Sequence, residues 1–167
     1  MPASVRDDED VHPVPTARIA LHGRADRGFR AEAEAGFRDV LARRRRVLPP
    51  GHPDVAESLL DLGRLLERRG DPTGAEPLLR EAVGILEVKL PRDHWRTAQA
   101  KSVLGGCLAA LGRGVEAEPL LTEAEAVLKR HHGRQIEARE ANERLARLYE
   151  ATGRAEKASA LRARTAL

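Results

Sequence analysis

Four histidines stand where imidazole chemistry must be considered, because imidazole is a common metal ligand and a general acid or base near neutral pH. His52 and His94 each lie in a loop just before a stretch of helical periodicity. Because they occupy equivalent positions of a repeated segment, we interpret them as residues that fix the loop geometry rather than as metal or proton-transfer sites. His131 and His132 are adjacent, and adjacent residues do not share a helix face. We expect them to interact favourably with the dipole at a helix C-terminus.

Cys107 is the single cysteine and a candidate for nucleophilic or redox chemistry. It has no CxxC partner and lies between Gly106 and Leu108 in a predicted helix, which favours a packed thiol over a reactive one. One cysteine excludes an intrachain disulfide and is typical of a reducing compartment. No serine, histidine and carboxylate set is supported by a motif such as G-x-S-x-G. We therefore expect no enzymatic activity, no cofactor and no metal.

The run Arg43–Arg46 could contact phosphates. Four consecutive helical residues spread around all faces, so some arginine stems must lie along apolar surface while their guanidinium groups reach water. No aromatic residues interleave with the run, which weakens an interpretation as a single-strand binding surface. We favour a solvated helix end, with a protein contact and nucleic-acid binding as the alternatives. Nucleic-acid binding through Arg43–Arg46 is the remote one.

The bulk composition indicates a helical protein with a mixed surface. Hydrophobic residues make up 41% and aromatic residues 2% of the chain, and 29 basic residues against 26 acidic ones leave a charge of +3. A core of Leu, Ala and Val favours helices. No apolar run approaches the roughly 18 residues of a membrane helix, and the N-terminus lacks the apolar core of a signal peptide. We expect a soluble, cytoplasmic protein.

A repeat with an offset of 42 residues organises the middle of the chain. The segment His52–Leu90 matches His94–His132, and the block Ala-Glu-Pro-Leu-Leu occurs at 75–79 and again at 117–121. In the first copy, Leu59, Leu62 and Leu66 recur on one helical face. Gly70 can end that helix in the left-handed conformation, and Asp71-Pro72 is typical of an N-cap and first-turn proline. Each copy is thus a helix hairpin that needs its neighbours to bury an apolar face.

Weaker copies flank these two, so the sequence predicts an all-α chain of about four hairpins. The predicted repeat domain covers 13–167, and residues 1–12, with the acidic run at 7–10, are predicted to be a disordered tail. The predicted helices lie at 15–27 and 30–47, 53–69 and 72–89, 95–111 and 114–131, and 135–152 and 155–166.

The repeat resembles the tetratricopeptide family. The pattern Leu-Gly-x2-Leu, then Ala, Leu and Ala, is carried by Leu62, Gly63, Leu66, Ala75, Leu79 and Ala82, and again by Leu104, Gly105, Leu108, Ala117, Leu121 and Ala124. The 42-residue period and Pro-Pro-Gly-His-Pro-Asp-Val-Ala at 49–56 are similar to the kinesin-light-chain subtype. This resemblance implies a right-handed superhelix of antiparallel hairpins that acts as a protein-interaction scaffold.

A narrower resemblance covers roughly 90–162. It is carried by Leu-Pro-Arg-Asp-His-Trp-Arg-Thr-Ala at 90–98, Leu-Gly-Gly-Cys-Leu at 104–108 and Arg-Leu-Tyr-Glu-Ala at 147–151. These segments are similar to the repeat region that follows the catalytic domain in bacterial serine/threonine protein kinases, without any kinase motif. The resemblance implies a bacterial source and a signalling context. Docking on such a kinase is therefore the alternative to a general scaffold.

In the resembled family, the first helix of each hairpin lines a concave groove in which partner peptides lie. The groove positions that the resemblance implies here are Asp61, Arg64 and Arg68 in the second hairpin, Gln99, Val103, Gly106 and Ala110 in the third, and Arg144 and Arg147 in the fourth. The asparagine that often holds the peptide backbone is replaced by Asp61, Val103 and Arg144. The guanidinium groups beside an uncharged floor favour a peptide of some acidic character.

Self-association is a further expectation. The cap-like last helix carries Glu156, Lys157, Arg162 and Arg164, whereas the first hairpin, with Ile19 and Leu21, lacks a clear polar cap. A homodimer through that N-terminal end is therefore plausible alongside a protein partner in the groove.

Overall fold

The computed structural model describes the backbone of residues 27–164 and the side chains of residues 32–164. The chain divides into two compact units, Met1–Gly36 and Phe37–Leu167. Of the first unit, only helical residues 27–36 are described. The predicted tail at 1–12, the predicted helix at 15–27 apart from its last residue, and the proposed dimer surface around Ile19 and Leu21 lie outside the described residues.

Seven helices and no strand account for the regular structure of the described residues, which confirms the all-α fold. The first helix starts three residues before its predicted start. Three hairpins follow it, formed by α2 with α3, α4 with α5, and α6 with α7. The bounds are α1 Arg27–Val47, α2 Pro53–Arg68, α3 Pro72–Lys89, α4 Trp95–Ala110, α5 Gly114–Arg130, α6 Gln135–Ala151 and α7 Ala155–Ala163.

The turn between α2 and α3 is specified locally by Gly70 and Asp71. Gly70 has a φ of 77°, and its N–H donates to the Glu67 carbonyl at 3.0 Å while the Asp71 N–H donates to the Leu66 carbonyl at 2.9 Å. These bonds satisfy the last carbonyls of α2. The Asp71 carboxylate then accepts from the Gly74 N–H at 2.9 Å and caps α3. The predicted helix stop and helix start at this turn are therefore confirmed.

Within a hairpin, the two helices touch at a glycine of the first helix. A Cβ placed on Gly63 would lie 2.6 Å from a methyl carbon of Leu79, and one on Gly105 would lie 2.7 Å from Leu121. Leu79 and Leu121 are fully buried, so neither side chain has free space to move into. The glycine of the Leu-Gly pair therefore lets the helices approach closely.

The hairpins stack by burying a shared apolar layer. Between the α4–α5 and α6–α7 hairpins, the half-buried side chains of Trp95 and Ala138 cover a small core. The buried members of that core are Ala98, Ala124, Val127, Leu128 and Ala141. No single hairpin contains all of these residues, so the layer forms only when the hairpins stack.

Ion pairs also join the second helices of consecutive hairpins, or the residue that precedes one of them. Arg45 pairs with Glu81 at 2.5 Å, Arg80 with Glu116 at 3.3 Å, and Arg154 with Glu118 at 2.7 Å. The partners are separated by 36 positions in each case. A residue 42 positions later would be the repeat equivalent, so each pair joins a residue to a position six before its own equivalent in the next repeat. The stagger is therefore the same at each step.

We expect Gly63→Ala to destabilise the protein by about 1–3 kcal/mol, because the added methyl group overpacks the fully buried Leu79 side chain. Gly84→Ala is the matched control, because it lies in α3 with nothing within 4 Å of the added methyl. There we expect stabilisation of about 0.5–1 kcal/mol from the helix propensity of alanine. Urea unfolding followed by circular dichroism measures both, and equal effects of the two substitutions would contradict the close-contact argument.

Candidate partner-binding groove

The histidines of the loops are helix caps. The Nδ1 atoms of His52 and His94 accept from the backbone N–H groups of Asp54 and Arg96, each at 3.1 Å. The two residues are the N-caps of α2 and α4, which confirms the structural interpretation. Each cap needs an unprotonated Nδ1, because a protonated ring nitrogen cannot accept a hydrogen bond.

His94 lies in a positively charged setting. Its ring stacks near Trp95 at 5.7 Å between centroids, and the Arg134 guanidinium lies 3.4 Å from the Trp95 centroid. Burial lowers the pKa of His94, and the charges of Arg96, His131 and Arg134 lower it further. The neutral imidazole that the cap requires is thereby favoured.

The other candidates for chemistry have structural partners as well. His131 lies at the C-terminal end of α5, and its Nε2 atom is 2.9 Å from the Asp93 carbonyl. No cluster of three metal-ligating side chains occurs among the described residues. Cys107 is fully buried, and burial raises the pKa of its thiol to about 12. The packed thiol that the sequence favoured is therefore confirmed.

The arginine run is largely used within the fold. Arg44 donates to the Asp54 carbonyl at 2.8 Å and to the Ser58 hydroxyl at 2.9 Å. Arg43 pairs with Asp39 at 2.8 Å, and Arg45 pairs with Glu81 as described above. The contacts of Arg44 and Arg45 join neighbouring elements and that of Arg43 lies within α1, so the run does not present four unpaired cations to a ligand.

A groove of about 950 Å³ lies over the first helices of the three hairpins and reaches α7. Small residues of α4 form its floor, and long charged side chains of α2, α6 and α7 form its walls. The lining includes five arginines and three glutamates. The residues that line it are Glu67, Arg68, Gly106, Ala109, Ala110, Arg139, Glu140, Asn142, Glu143, Arg144, Arg147, Leu148, Ala151 and Arg162.

The structure brings some of the predicted groove residues together and sets others aside. Five of the nine line the groove: Arg68, Gly106, Ala110, Arg144 and Arg147. Arg64 adjoins it through Glu140, Gln99 is half-buried outside the lining, and Asp61 and Val103 are buried at 6% and 1% exposure. Repeat spacing therefore places five of the nine residues along the groove but does not give the depth of each side chain.

Two ion pairs cross the groove between α2 and α6. Arg144 donates to both carboxylate oxygens of Glu67, at 2.9 Å each, and to the Ser102 hydroxyl at 3.3 Å. Arg64 donates to Glu140 at 3.3 Å. We call Arg64, Glu67, Glu140 and Arg144 the cross-groove quartet, because its members join two hairpins that are not neighbours in sequence.

Gly106 makes room for the quartet. A Cβ on Gly106 would lie 2.6 Å from the Glu67 Oε1 atom and 2.9 Å from the Arg144 Cδ atom. The equivalent positions of the adjacent repeats, at offsets of 42 and 41, carry Arg64 and Arg147. The missing side chain on α4 therefore lets groups from α2 and α6 meet above it.

Hydrogen bonds and neighbouring charges favour the ionised forms of Arg144 and Glu143. Burial alone would lower the pKa of Arg144, but its hydrogen bonds to Glu67 and the charges of Glu67 and Glu140 outweigh it and raise the pKa. On the wall beside α7, hydrogen bonds from Arg162 lower the pKa of Glu143. Arg64 and Arg144 are already paired when an incoming segment arrives.

Arg162 is one of several groove residues that sequence reasoning missed, as are Arg139, Asn142, Leu148 and Ala151. Arg162 lies on α7, where the sequence suggested only a polar cap, and it donates to Glu143 at 2.9 Å and also pairs with Glu150. The alternation of charge along α6 and α7 is the only signal that could have indicated these pairs.

The comparisons with known proteins agree with this fold. The family model of the tetratricopeptide repeat matches residues 19–87. Nearly identical TPR-like repeats assigned to a kinesin light chain of Podosopora anserina have a TM-score of 0.73 at 24% identity, covering 90% of this chain and 72% of that one. A singly substituted variant of those repeats gives the same values, except that 71% of that chain is covered.

A third similar structure is BtubC (BKLC) from P. vanneervenii. Its TM-score is 0.70 at 19% identity, and the match covers 83% of this chain and 56% of that one. At such identities the likeness concerns the fold alone. No curated protein matches the chain significantly. Among the described residues, no helix is both long and apolar enough to cross a membrane.

We expect the stability of the protein to decrease as the pH falls below about 6.5 through the lowered pKa of His94. The unfolded state binds the proton more readily than the folded state, so the stabilisation is complete above the unfolded pKa and is lost towards acid. His94→Asn is the control, because an asparagine oxygen can cap α4 without titrating. Thermal unfolding of both proteins from pH 5 to 8 measures the difference, and a constant difference across that range would contradict this role.

We expect a double-mutant cycle on Glu67→Ala and Arg144→Ala to give a coupling energy of roughly 1–3 kcal/mol, because the two side chains are only 19% and 15% exposed. The exposed pair Asp39 and Arg43, at 55% and 71%, is the matched control. There we expect about 0.5 kcal/mol or less. Equal couplings, measured by urea unfolding at low salt, would show that burial does not strengthen the groove pair.

Proposed function

We propose that this chain of tetratricopeptide-type repeats is a non-catalytic interaction module that binds a segment or domain of another protein in the groove over α2, α4 and α6. The observation that carries the proposal is the groove itself. Its floor of Gly106, Ala109 and Ala110 leaves room for a polypeptide, and its charged walls can orient one.

The side chains on the floor and walls suit a polypeptide better than a small apolar ligand. Ala110 is exposed and Gly106 half-buried, and the walls present guanidinium and carboxylate groups. Such groups hydrogen-bond to side chains and backbone of an extended segment. His52 and His94 cap helices and Cys107 is packed in the core, and no histidine or cysteine is among the described residues that line the groove.

We place the module in bacterial signalling, in the cytoplasm, with docking on a serine/threonine protein kinase as its more specific form. The segments at 90–98, 104–108 and 147–151 support this, because they resemble the repeats that follow such kinase domains. A homodimer through the N-terminal end stays a prediction, because that end lies outside the described residues.

We expect the photocrosslinker p-benzoylphenylalanine, introduced at Ala110, to form an adduct with a partner protein in extracts of the organism that encodes the chain. Ala110 lies in the groove, so a bound segment would pass within reach of the crosslinker. Val115, 92% exposed at the start of α5 and outside the groove lining, is the matched control position and should give no such adduct. Mass spectrometry identifies the partner.

Adducts that form equally from both positions would refute binding in the groove. An adduct from Ala110 with a serine/threonine kinase, together with a change in its activity when the module is added, would support the kinase-docking form. An adduct with an unrelated protein would support the general scaffold and argue against the kinase.

A further inference from the structure

The ion pairs across the groove constrain what can bind there, and the following argument rests on the proposed function. The four charged groups of the cross-groove quartet satisfy one another in the free protein. Their side chains are between 15% and 29% exposed, so each is held mostly away from water. The part of the groove around Gly106 is therefore not a row of open cations but a closed arrangement of two acids and two bases.

The quartet lies where an incoming segment must pass. A Cβ on Gly106 would already touch Glu67 and Arg144, so the space directly above Gly106 is occupied by this pair. Any segment that reaches Gly106 must therefore separate Glu67 from Arg144. The Glu67–Arg144 pair also adjoins the Arg64–Glu140 pair, because Arg144 lies 3.6 Å from Glu140.

Separating the pairs leaves four charges to be satisfied, two of each sign. An acidic segment could bind Arg64 and Arg144, but it would leave Glu67 and Glu140 poorly hydrated and facing like charges. Breaking one side of a mostly buried ion pair is strongly unfavourable, and like charges across an interface oppose binding. A basic segment would meet the opposite problem at the two arginines.

We propose that the groove binds a partner segment that carries both acidic and basic side chains, and that it enters by exchanging ion pairs with the cross-groove quartet. The acidic side chains of the segment replace the glutamates at Arg64 and Arg144. Its basic side chains bind the released Glu67 and Glu140. The penalty for an unmatched charge makes the groove select against segments of a single sign.

The outer walls of the groove repeat the same mixture of signs. Arg147, 72% exposed, pairs with Glu143 at 3.1 Å, and Arg162 joins the same carboxylate. Arg68, 59% exposed, lies 3.7 Å from Glu140. Paired acids and bases therefore extend from the floor to the rim, so a segment of mixed charge finds complementary groups at both depths.

The test is selection of 12-residue peptides from a random phage-displayed library on three proteins at low salt. The first is the wild type, the second is Glu67→Gln/Glu140→Gln, and the third is Arg64→Gln/Arg144→Gln. Glutamine keeps the size of glutamate and removes its charge, and in place of arginine it is a shorter polar side chain without charge. The control variant Glu81→Gln/Glu116→Gln removes two charges of the same sign from the second helices, outside the groove lining.

We expect the wild type and the control to enrich peptides that contain both acidic and basic residues. The Glu67→Gln/Glu140→Gln variant should enrich acidic peptides. It should bind the peptides selected on the wild type at least tenfold more weakly. The Arg64→Gln/Arg144→Gln variant should enrich basic peptides. Circular dichroism and thermal unfolding establish that each variant is folded, and for any variant that is not, single substitutions at Glu67 and Arg144 replace the pair.

Three outcomes would overturn the proposal. Enrichment of purely acidic or purely basic peptides on the wild type would exclude charge exchange but leave a peptide-binding groove. Enrichment of peptides that match this chain's own sequence would assign the groove to a second copy. Absence of any enrichment on the wild type would overturn both this inference and peptide binding in the groove.

Discussion

The contact between Gly63 and Leu79, repeated at Gly105 and Leu121, sets the distance between the two helices of a hairpin. Because neither glycine carries a side chain, the helices approach until the leucine side chain lies against the opposite backbone. No space for a methyl group is then left at either glycine. This contact aligns the apolar face of each hairpin, which then needs a neighbouring hairpin for burial. The first helices are brought side by side as a consequence, and the groove lies over them.

The parts of the structure that depend on local sequence could be predicted. The apolar spacing of α2, the left-handed Gly70 and the Asp71 cap each involve residues within a few positions of one another. The ion pairs of the cross-groove quartet could not be predicted from local sequence, because Arg144 and Glu67 are 77 positions apart. Their contact depends on the distance between α2 and α6, which the stack determines. Val103 illustrates the same limit, since its helix face was predicted but its complete burial depends on the neighbouring hairpins.

The role of a histidine also depended on its place in the fold, and only the repeat in the sequence indicated that place. His52 and His94 have the side chains of metal ligands, yet each accepts one backbone N–H at the start of a helix. Their equivalent places in two repeats were the one sequence signal for that role. Most of the charged surface has a similar structural use, because pairs such as Arg45 with Glu81 hold consecutive hairpins in register. Net charge therefore says little about the ligand.

A groove whose charges are already paired discriminates differently from one with open cations. An open cation attracts any acidic segment, so its selectivity depends mainly on shape. In the cross-groove quartet, the interactions that a segment gains must replace those that it disrupts, and the net stabilisation is small unless both signs are matched. Discrimination then arises from the penalty on mismatched segments. Gly106 is central to this property, because a side chain at its position would keep Glu67 and Arg144 apart and leave both open to any ligand of opposite charge.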